Sequence, residues 1–212
     1  MLKRYFGPAA SRVIFAADLP SFDANVSVLQ QICELVDVIK VPNALAFREG
    51  AHVYGRLSDM FGLPVFADLK VADVPHTNAE IVRVACDGGA SAVMIHAFVG
   101  PDGIMAALDA AKSRAAVIAQ LELTSPGGEV FNSPITEDMA KLSASLGVDG
   151  VQAPGNRTSR IREIRKIVGN EIGIVCCGVG AQGGQFRDVV ESGADYAIIY
   201  IRLTIRIMHS KL

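Results

Sequence analysis

The sequence contains no tryptophan, few other aromatic residues and almost no net charge. Of its 212 residues 6% are aromatic, and 20 Lys and Arg oppose 22 Asp and Glu, which gives a formal charge of −2. A nearly neutral chain lacks the broad basic surface that is typical of nucleic-acid-binding domains, so we expect no nucleic-acid partner. In contrast, 50% of the residues are hydrophobic and the mean hydropathy is +0.34, which is enough apolar material for a large core.

The sequence also lacks long hydrophobic runs. No apolar stretch approaches the roughly 18 residues that span a bilayer, and the first apolar run, at residues 13–17, is too short for a secretory signal. No CxxC pair and no zinc-type spacing of His and Cys occurs among its four cysteines, Cys33, Cys86, Cys176 and Cys177. We therefore expect a soluble, cytoplasmic protein with reduced thiols, no membrane partner and no zinc site.

Short apolar runs rich in β-branched residues recur along the chain, each followed by a longer stretch with helical periodicity. The sequence predicts strands at 13–18, 36–41, 64–70, 91–98, 116–123, 148–154, 173–179 and 196–201. Strands that alternate with helices and are apolar on both faces are typical of parallel sheets. Eight such units predict a closed (β/α)8 TIM barrel of the α/β class.

The segments between the strands support this interpretation. Residues 22–35 and 75–89 have apolar residues at three- and four-residue spacing, so both are predicted to be amphipathic helices. The charge-rich segment 157–166 is expected to be a solvated outer helix face. A doubly wound open sheet is the alternative fold, but residues 18–23 do not contain its glycine fingerprint. Because no linker is evident, we expect one barrel domain over 1–212, with an atypically short C-terminal segment after about residue 202.

Charged and polar residues stand at the ends of the predicted strands. In parallel barrels the chemistry lies at this rim, because it gathers all eight βα loops around one mouth. The candidates are Asp18, Lys40, Asp68, Lys70, Asp73, His96, Glu122, Thr124, Ser125, Gln182 and Arg202. Such clustering is more consistent with a functional site than with packing.

Four of these residues predict a charge network. Asp68 and Lys70 are two residues apart on one strand, so their side chains should point to the same face and contact each other. Lys40 ends the preceding strand and Asp73 follows the third, which makes a set of two cations and two anions. Burying several charges is costly unless each finds a partner, so a structural salt bridge alone is the less favoured interpretation.

A glycine-rich segment predicts a phosphate site. The sequence GVGAQGG at 178–184 follows the seventh strand and precedes a helical stretch. Glycines allow close approach of backbone N–H groups to an anion, and the loops after strands seven and eight of barrels often bind phosphate. Arg202, at the end of the eighth strand, would add a bidentate cation.

These motifs resemble the orotidine 5′-monophosphate (OMP) decarboxylase family, especially its short archaeal type. The resemblance rests on DLKVADVPHTN at 68–78, on Lys40 one strand earlier and on GVGAQGG at 178–184, and it extends from about residue 13 to 202. The DxKxxD pattern alone is shared with a wider suprafamily, whereas DxKxxD followed by PxTN and GVGAQGG is more specific. The family removes CO₂ from OMP to give UMP, without a metal or an organic cofactor.

The resemblance implies a role for each matching residue. Lys40, Asp68, Lys70 and Asp73 would form the catalytic charge network, with Lys70 donating a proton to C6 of the pyrimidine. The family also implies a homodimer in which Asp73 and Thr77 reach the neighbouring subunit's site. The other substrate contacts would be Asp18 at the ribose, Thr124 or Ser125 at the pyrimidine, and Gly180, Gln182 and Arg202 at the phosphate.

The sequence departs from the family pattern in two places. IRL at 201–203 replaces a Gly-Arg-Ser-like turn, and Cys177 stands where archaeal relatives often have proline. Two alternatives follow. One is a Mg²⁺-dependent sugar-phosphate decarboxylase or aldolase of the same suprafamily; its members carry a carboxylate where this chain has Lys40, and an ammonium there would repel Mg²⁺. The other is an impaired phosphate-binding barrel.

Overall fold

The computed structural model describes residues 2–180 and 183–200, and within them eight parallel strands close into one barrel. Each strand pairs with the next along the chain, and the eighth pairs with the first. The predicted α/β fold, a (β/α)8 barrel, is therefore confirmed. The strands are β1 Val13–Ala16, β2 Val38–Pro42, β3 Val65–Val71, β4 Ala92–His96, β5 Ala116–Gln120, β6 Gly150–Pro154, β7 Gly173–Val179 and β8 Tyr196–Ile199.

The predicted strands are correct in number and order but extend too far at several ends. Residues 121–123, for example, continue the apolar pattern of β5 but lie outside the strand, because the chain there turns into the loop over the barrel mouth. The hydrophobic pattern indicates which residues are buried, not which are in a strand. Because the first loop residues at a barrel rim are buried as well, the pattern extends past the end of the strand. The end predicted at residue 201 lies outside the described residues.

Ten α-helices are present in the described part of the chain. They are α1 Lys3–Phe6, α2 Phe22–Ile32, α3 Asn43–Glu49, α4 Val53–Phe61, α5 Pro75–Asp87, α6 Gly100–Ala111, α7 Pro126–Asn132, α8 Thr136–Leu146, α9 Thr158–Val168 and α10 Phe186–Glu191. The predicted helices correspond to α2, which continues as a 3₁₀ turn over Cys33–Leu35, to α5, which begins at a proline, and to α9. None of the helices described is long and apolar enough to cross a bilayer.

The core has two parts, separated by the barrel wall. Outward-facing strand residues pack against the helices, while inward-facing residues such as Ile14, Phe66 and Ile118 fill the barrel interior. At the amino-terminal end of the strands, Leu2 and Phe6 close the barrel, and the ring of Phe6 packs edge-on against Tyr196 with centroids 5.5 Å apart. Apolar side chains thus fill the barrel at the amino-terminal end of the strands, and the polar residues that line the cavity lie at the carboxyl end.

Two strands are irregular at the open end of the barrel. The pairing register shifts in β3 between Ala67 and Val71, and in β7 between Cys176 and Val179. Such bulges bend a strand and redirect its side chains, and they are common at barrel rims beside active sites. Here the first carries the DxK motif and the second leads into the glycine loop.

Candidate active site

The centre of the site is an ion triplet at the ends of β2 and β3. The carboxylate of Asp68 accepts hydrogen bonds from Lys40 Nζ at 2.7 Å and from Lys70 Nζ at 2.6 Å, one on each oxygen. The side chains of Lys40 and Asp68 are 5% and 3% exposed, whereas Lys70 is 35% exposed. Two of the charges are therefore buried and mutually satisfied, and the third faces the mouth of the barrel.

Lys70 reaches Asp68 through the bulge in β3 and not through regular strand geometry. The backbone of Lys70 has φ +48°, in the left-handed region that non-glycine residues seldom adopt. The predicted contact is present, but its predicted cause, simple alternation along the strand, is only part of the explanation. Strain of this kind is held in place by its surroundings and is typical of functional sites.

The electrostatics of the pair follow from burial and charge. Burial raises the pKa of Asp68, but the Lys40 and Lys70 ammonium groups outweigh it, so the pKa lies below its usual value. For Lys40, burial lowers the pKa, and the carboxylate of Asp68 more than compensates, so the net shift is upward. Both groups therefore hold their charges across the physiological pH range.

The triplet lines a cavity of about 280 Å³ that also contains two of the predicted ligand-binding residues. Asp18, just beyond β1, and Thr124, in the loop after β5, both border it. Partial burial raises the pKa of Asp18, opposed by the Lys40 ammonium. Ser125 is exposed and directly precedes α7, outside the lining of this cavity. The arrangement can hold a small anionic or polar ligand between charged strand ends.

Within a single chain, Asp73 and Thr77 do not line this cavity. Asp73 is exposed, and its carboxylate accepts a hydrogen bond from the Val74 N–H at 2.7 Å. Its own N–H donates to Asn78 Oδ1 at 2.9 Å, which orders the turn before α5. Thr77 lies in the first turn of α5. Among the described residues, no cation lies within ion-pair distance of Asp73, so its predicted place in the charge network stays a prediction.

Part of the predicted phosphate site lies outside the described residues, namely Gln182 and Arg202. Gly180 is described, with φ +83°, a conformation that favours glycine. Its N–H donates to the Gly184 carbonyl at 2.7 Å, so this group holds the loop together. At Gly184 an added Cβ would lie 2.6 Å from the Gly155 carbonyl oxygen, which shows how closely this loop approaches the end of β6.

A second ionic cluster lies beneath the loop that carries Thr124. The carboxylate of Glu122 is fully buried and contacts two arginines, Arg157 at 2.8 Å and Arg160 at 3.0 Å. It also accepts hydrogen bonds from the hydroxyls of Ser133 at 2.7 Å and Thr136 at 3.0 Å. Glu122 thus has a partner for each oxygen, as a buried carboxylate requires.

Arg157 extends this cluster into the loop itself. Its guanidinium donates to the carbonyl oxygen of Leu123 at 2.7 Å and to Glu129 Oε1 at 2.5 Å, besides Glu122. The expectation that 157–166 is a solvated face is therefore wrong for Arg157, Arg160 and Arg165, which are 22%, 21% and 18% exposed and bond to other elements. Glu129 and Glu122 lie 28 and 35 residues from Arg157 in sequence, so helical periodicity alone does not reveal these partners.

Several residues that line the cavity were not predicted from the sequence. They are Gln120 and Gln152, which are buried, together with Met94, Cys177 and Tyr200. A signal for the first two was available, because each is a polar amide inside an apolar strand run. Cys177 was noted only as a departure from the family pattern; burial raises the pKa of its thiol to about 11.

Comparison with known proteins agrees with this geometry. The family described as "Orotidine 5'-phosphate decarboxylase / HUMPS family" matches residues 11–202. The chain belongs to this family. Among curated relatives, orotidine 5'-phosphate decarboxylase of Methanococcoides burtonii is 36% identical over 190 residues, covering 89% of this chain and 87% of the relative. The Pyrococcus abyssi protein of the same name is 33% identical, covering 88% of each chain.

Solved structures of the family have the same fold. Orotidine 5'-monophosphate decarboxylase from Methanocaldococcus jannaschii, complexed with the inhibitor BMP, superposes with a TM-score of 0.85 at 31% identity, covering 91% of this chain and 90% of that one. The Pyrococcus horikoshii enzyme gives 0.83 at 33% identity, covering 91% of both chains. The family resemblance predicted from the sequence is therefore confirmed.

Proposed function

We propose that this family member is an OMP decarboxylase, which converts OMP to UMP and CO₂ without a cofactor. The observation that carries the proposal is the Lys40–Asp68–Lys70 triplet at the end of a cavity in a barrel of this family. The alternative, a Mg²⁺-dependent sugar-phosphate enzyme, would need its cation beside Asp68. Lys40 and Lys70 already occupy both oxygens of that carboxylate with ammonium groups.

The triplet matches the chemical demand of this reaction. When the bond between C6 and the carboxylate breaks, its electron pair stays on C6, and CO₂ leaves. An ammonium held next to C6 stabilises that charge and then donates a proton to it, which completes UMP. We assign this role to Lys70, because it is the ammonium of the triplet that faces the cavity mouth.

Lys40 and Asp68 hold Lys70 in position. Asp68 anchors the Lys70 ammonium at 2.6 Å, and Lys40 balances the charge of Asp68 within the buried interior. One charge contact at about 4 Å is worth about 4 kcal/mol at an effective dielectric of about 20. Enzymes lower barriers by about 8–23 kcal/mol, so binding energy from the rest of the nucleotide has to contribute.

The remaining predicted residues would bind the nucleotide. In this proposal Asp18 contacts the ribose hydroxyls and Thr124 the pyrimidine, since both border the cavity, with Ser125 beside it. Gly180, Gln182 and Arg202 would bind the 5′-phosphate. The position of the glycine loop against the end of β6 supports a phosphate site at this side of the mouth.

We also propose a cytoplasmic homodimer with shared active sites. Asp73 and Thr77 lie outside the cavity of their own chain, next to an apolar surface formed by α3 and α5. On this surface Phe47 is 83% and Val84 53% exposed. A second copy docked here would cover these side chains and bring Asp73 near the neighbouring site.

The proposal is tested by following the loss of OMP absorbance with purified protein, with and without excess EDTA. We expect turnover that EDTA leaves unchanged. Turnover of OMP that EDTA abolishes would contradict the cofactor-free assignment. If OMP is not turned over, but a hexulose phosphate is consumed when Mg²⁺ is added, the alternative is correct. Arg162→Ala, on the exposed face of α9, is the matched control for protein quality.

A further inference from the structure

The peptide between Leu69 and Lys70 is turned away from the neighbouring strand that regular geometry would give it. On β3 the Val65 carbonyl accepts the Ser91 N–H at 2.7 Å, on the side of β4. Carbonyls two residues apart in a strand point to the same side, so the Leu69 carbonyl would also face β4 if β3 were regular. Instead it accepts a hydrogen bond at 3.1 Å from the side-chain amide of Asn43, which directly follows β2, the strand on the other side of β3.

The turned peptide and the unusual backbone of Lys70 have the same origin. Pairing of β3 with β4 breaks after Ala67 and resumes at Val71, which leaves residues 68–70 in a bulge. Within this bulge Lys70 has φ +48°. Because a peptide unit is rigid, rotating it changes ψ of the residue before it and φ of the residue after it. The reversed direction of the Leu69 carbonyl and the positive φ of Lys70 are therefore two aspects of one rotation.

Asn43 is suited to hold this conformation. A non-glycine residue at positive φ costs free energy and persists only where its surroundings stabilise it. A partly buried carbonyl that has left the ladder needs another donor, and the Asn43 amide supplies one to Leu69. The donor comes from a fixed position, because the backbone of Asn43 joins the end of β2 to the first turn of α3. The bond connects residues 26 apart in sequence, so it is a tertiary constraint and not part of a local turn.

We infer that Asn43 is a positioning residue for Lys70, an inference that rests on the proposed function for the part that Lys70 plays in catalysis. By holding the peptide before Lys70, the Asn43 amide directs the lysine side chain into the cavity, where its ammonium contacts Asp68 at 2.6 Å. Without this amide the peptide returns to the orientation of a regular strand, and the ammonium loses its place beside Asp68. Asn43 is not among the described residues that line the cavity, so it acts through Lys70 and not on the substrate.

A comparison of stabilities tests whether Asn43 holds the peptide, independently of any activity. At φ +48° glycine is less strained than alanine, so the unfolding equilibrium constant of Lys70→Ala should be about fivefold larger than that of Lys70→Gly. When Asn43→Ala is added to both variants, the peptide is released, and this ratio should fall to about one or below, because alanine is more stable than glycine in an ordinary strand. Urea unfolding of the four full-length variants, followed by circular dichroism, gives both ratios.

Two further variants serve as controls. Asn43→Leu repeats the comparison with a side chain of similar volume that cannot donate, which separates the lost hydrogen bond from the lost volume; if Asn43→Ala does not fold, Asn43→Leu decides. Gln31→Leu is the matched control, because the Gln31 amide also donates to a backbone carbonyl, that of Ser27 at 3.0 Å, but on the exposed face of α2. It should leave the fivefold ratio unchanged. A ratio that stays at fivefold in folded Asn43 variants overturns the inference.

Steady-state kinetics with OMP tests the consequence for catalysis. We expect Asn43→Ala and Asn43→Leu, with Lys70 retained, to lower kcat at least tenfold and to change KM less than about threefold, because a catalytic group displaced by about 1 Å loses rate while the other nucleotide contacts remain. Gln31→Leu should keep the wild-type kcat. A wild-type kcat in folded Asn43 variants overturns the inference. If the wild type does not turn over OMP, the proposed function is wrong and the catalytic role of Asn43 with it, whereas the stability ratios still decide whether Asn43 holds the peptide.

Discussion

The Lys40 ammonium lies 2.7 Å from one oxygen of the Asp68 carboxylate, in a position where both side chains are almost inaccessible to water. Neither residue is stable in this place without the other, because an unpaired buried charge costs several kcal/mol. The same pair fixes the second oxygen of Asp68 for Lys70. The buried charges therefore support the fold and also hold in place the Lys70 ammonium, to which we assign the catalytic role.

Replacing one partner of this pair should cost more than replacing both. We expect Lys40→Met to lower the free energy of unfolding by about 3 kcal/mol, at the low end for a broken buried pair because Lys70 still contacts Asp68. Lys40→Met combined with Asp68→Leu should recover most of that loss, since Lys70 is exposed enough to be hydrated. Urea unfolding followed by circular dichroism measures both. A double variant less stable than Lys40→Met would contradict this account.

Lys70 should contribute to catalysis although its backbone conformation is strained and costs stability. Because its φ is +48°, Lys70→Gly should be more stable than Lys70→Ala by about 1 kcal/mol, the reverse of the usual order for these residues in a strand. Both variants should lose decarboxylation and still bind UMP. Thermal unfolding and UMP calorimetry provide the comparison. Near-normal turnover by either variant would remove Lys70 from its proposed role.

His96 should make stability fall in mildly acidic solution. Partial burial, reinforced by the Lys70 ammonium, lowers the pKa of His96 from 6.5 to about 4. Between these values the unfolded chain binds a proton that the folded chain does not, so stability decreases as the pH falls from about 6.5 to 4, by on the order of 2 kcal/mol. Below this window, protonation of Asp68, whose pKa is lowered, removes further stability.

The measurement is urea unfolding of wild type and His96→Gln at several pH values. The free energy of unfolding of His96→Gln should no longer decrease as the pH falls from 6.5 to 4. Above pH 7.5 the His96 imidazole is neutral in both the folded and the unfolded wild type. The difference in free energy of unfolding between the two proteins should therefore be constant there, which serves as the internal control. An equal slope in both proteins would assign the acid sensitivity to other groups.

The barrel and the ion triplet could be predicted from the sequence because both follow from local pattern plus one topological rule. Parallel strands end at one rim, so Lys40 and Asp68, which lie near the ends of the successive strands β2 and β3, become neighbours. The bulge that places Lys70 depends on how β3 pairs with β4, which no local pattern encodes. The partners of Arg157 could not be predicted from local pattern either. Arg157 belongs to a segment predicted to be solvated, and it turns inward because Glu122 is buried beneath it.

Arg157 should position the loop that carries Thr124. It links buried Glu122 to Glu129 and the Leu123 carbonyl, so its loss frees that loop and weakens the charge balance of Glu122. We expect Arg157→Met to cost about 3 kcal/mol of stability and to raise KM for OMP by about tenfold or more, with a smaller effect on kcat. Thr124 would be displaced, whereas Lys70 would keep its position.

Steady-state kinetics and urea unfolding test this prediction. Arg162→Ala is the matched control, because this arginine lies on the exposed face of α9, the helix that Arg157 directly precedes. It should change neither quantity measurably. If Arg157→Met lowers kcat alone with KM unchanged, Arg157 acts on the chemical step and not through the loop.

Sharing of the active site should appear as complementation between two inactive chains. Asp73 is exposed in its own chain, while Lys70 faces its own cavity, so the two belong to different sites if the proposed dimer forms. Mixing Asp73→Ala and Lys70→Ala proteins, after dissociation and reassociation, should restore about a quarter of the wild-type activity per active site, because half of the chains enter heterodimers and each heterodimer contains one intact site. Mass spectrometry of differently tagged chains confirms heterodimers. Heterodimers without activity would show that Asp73 serves the site of its own chain.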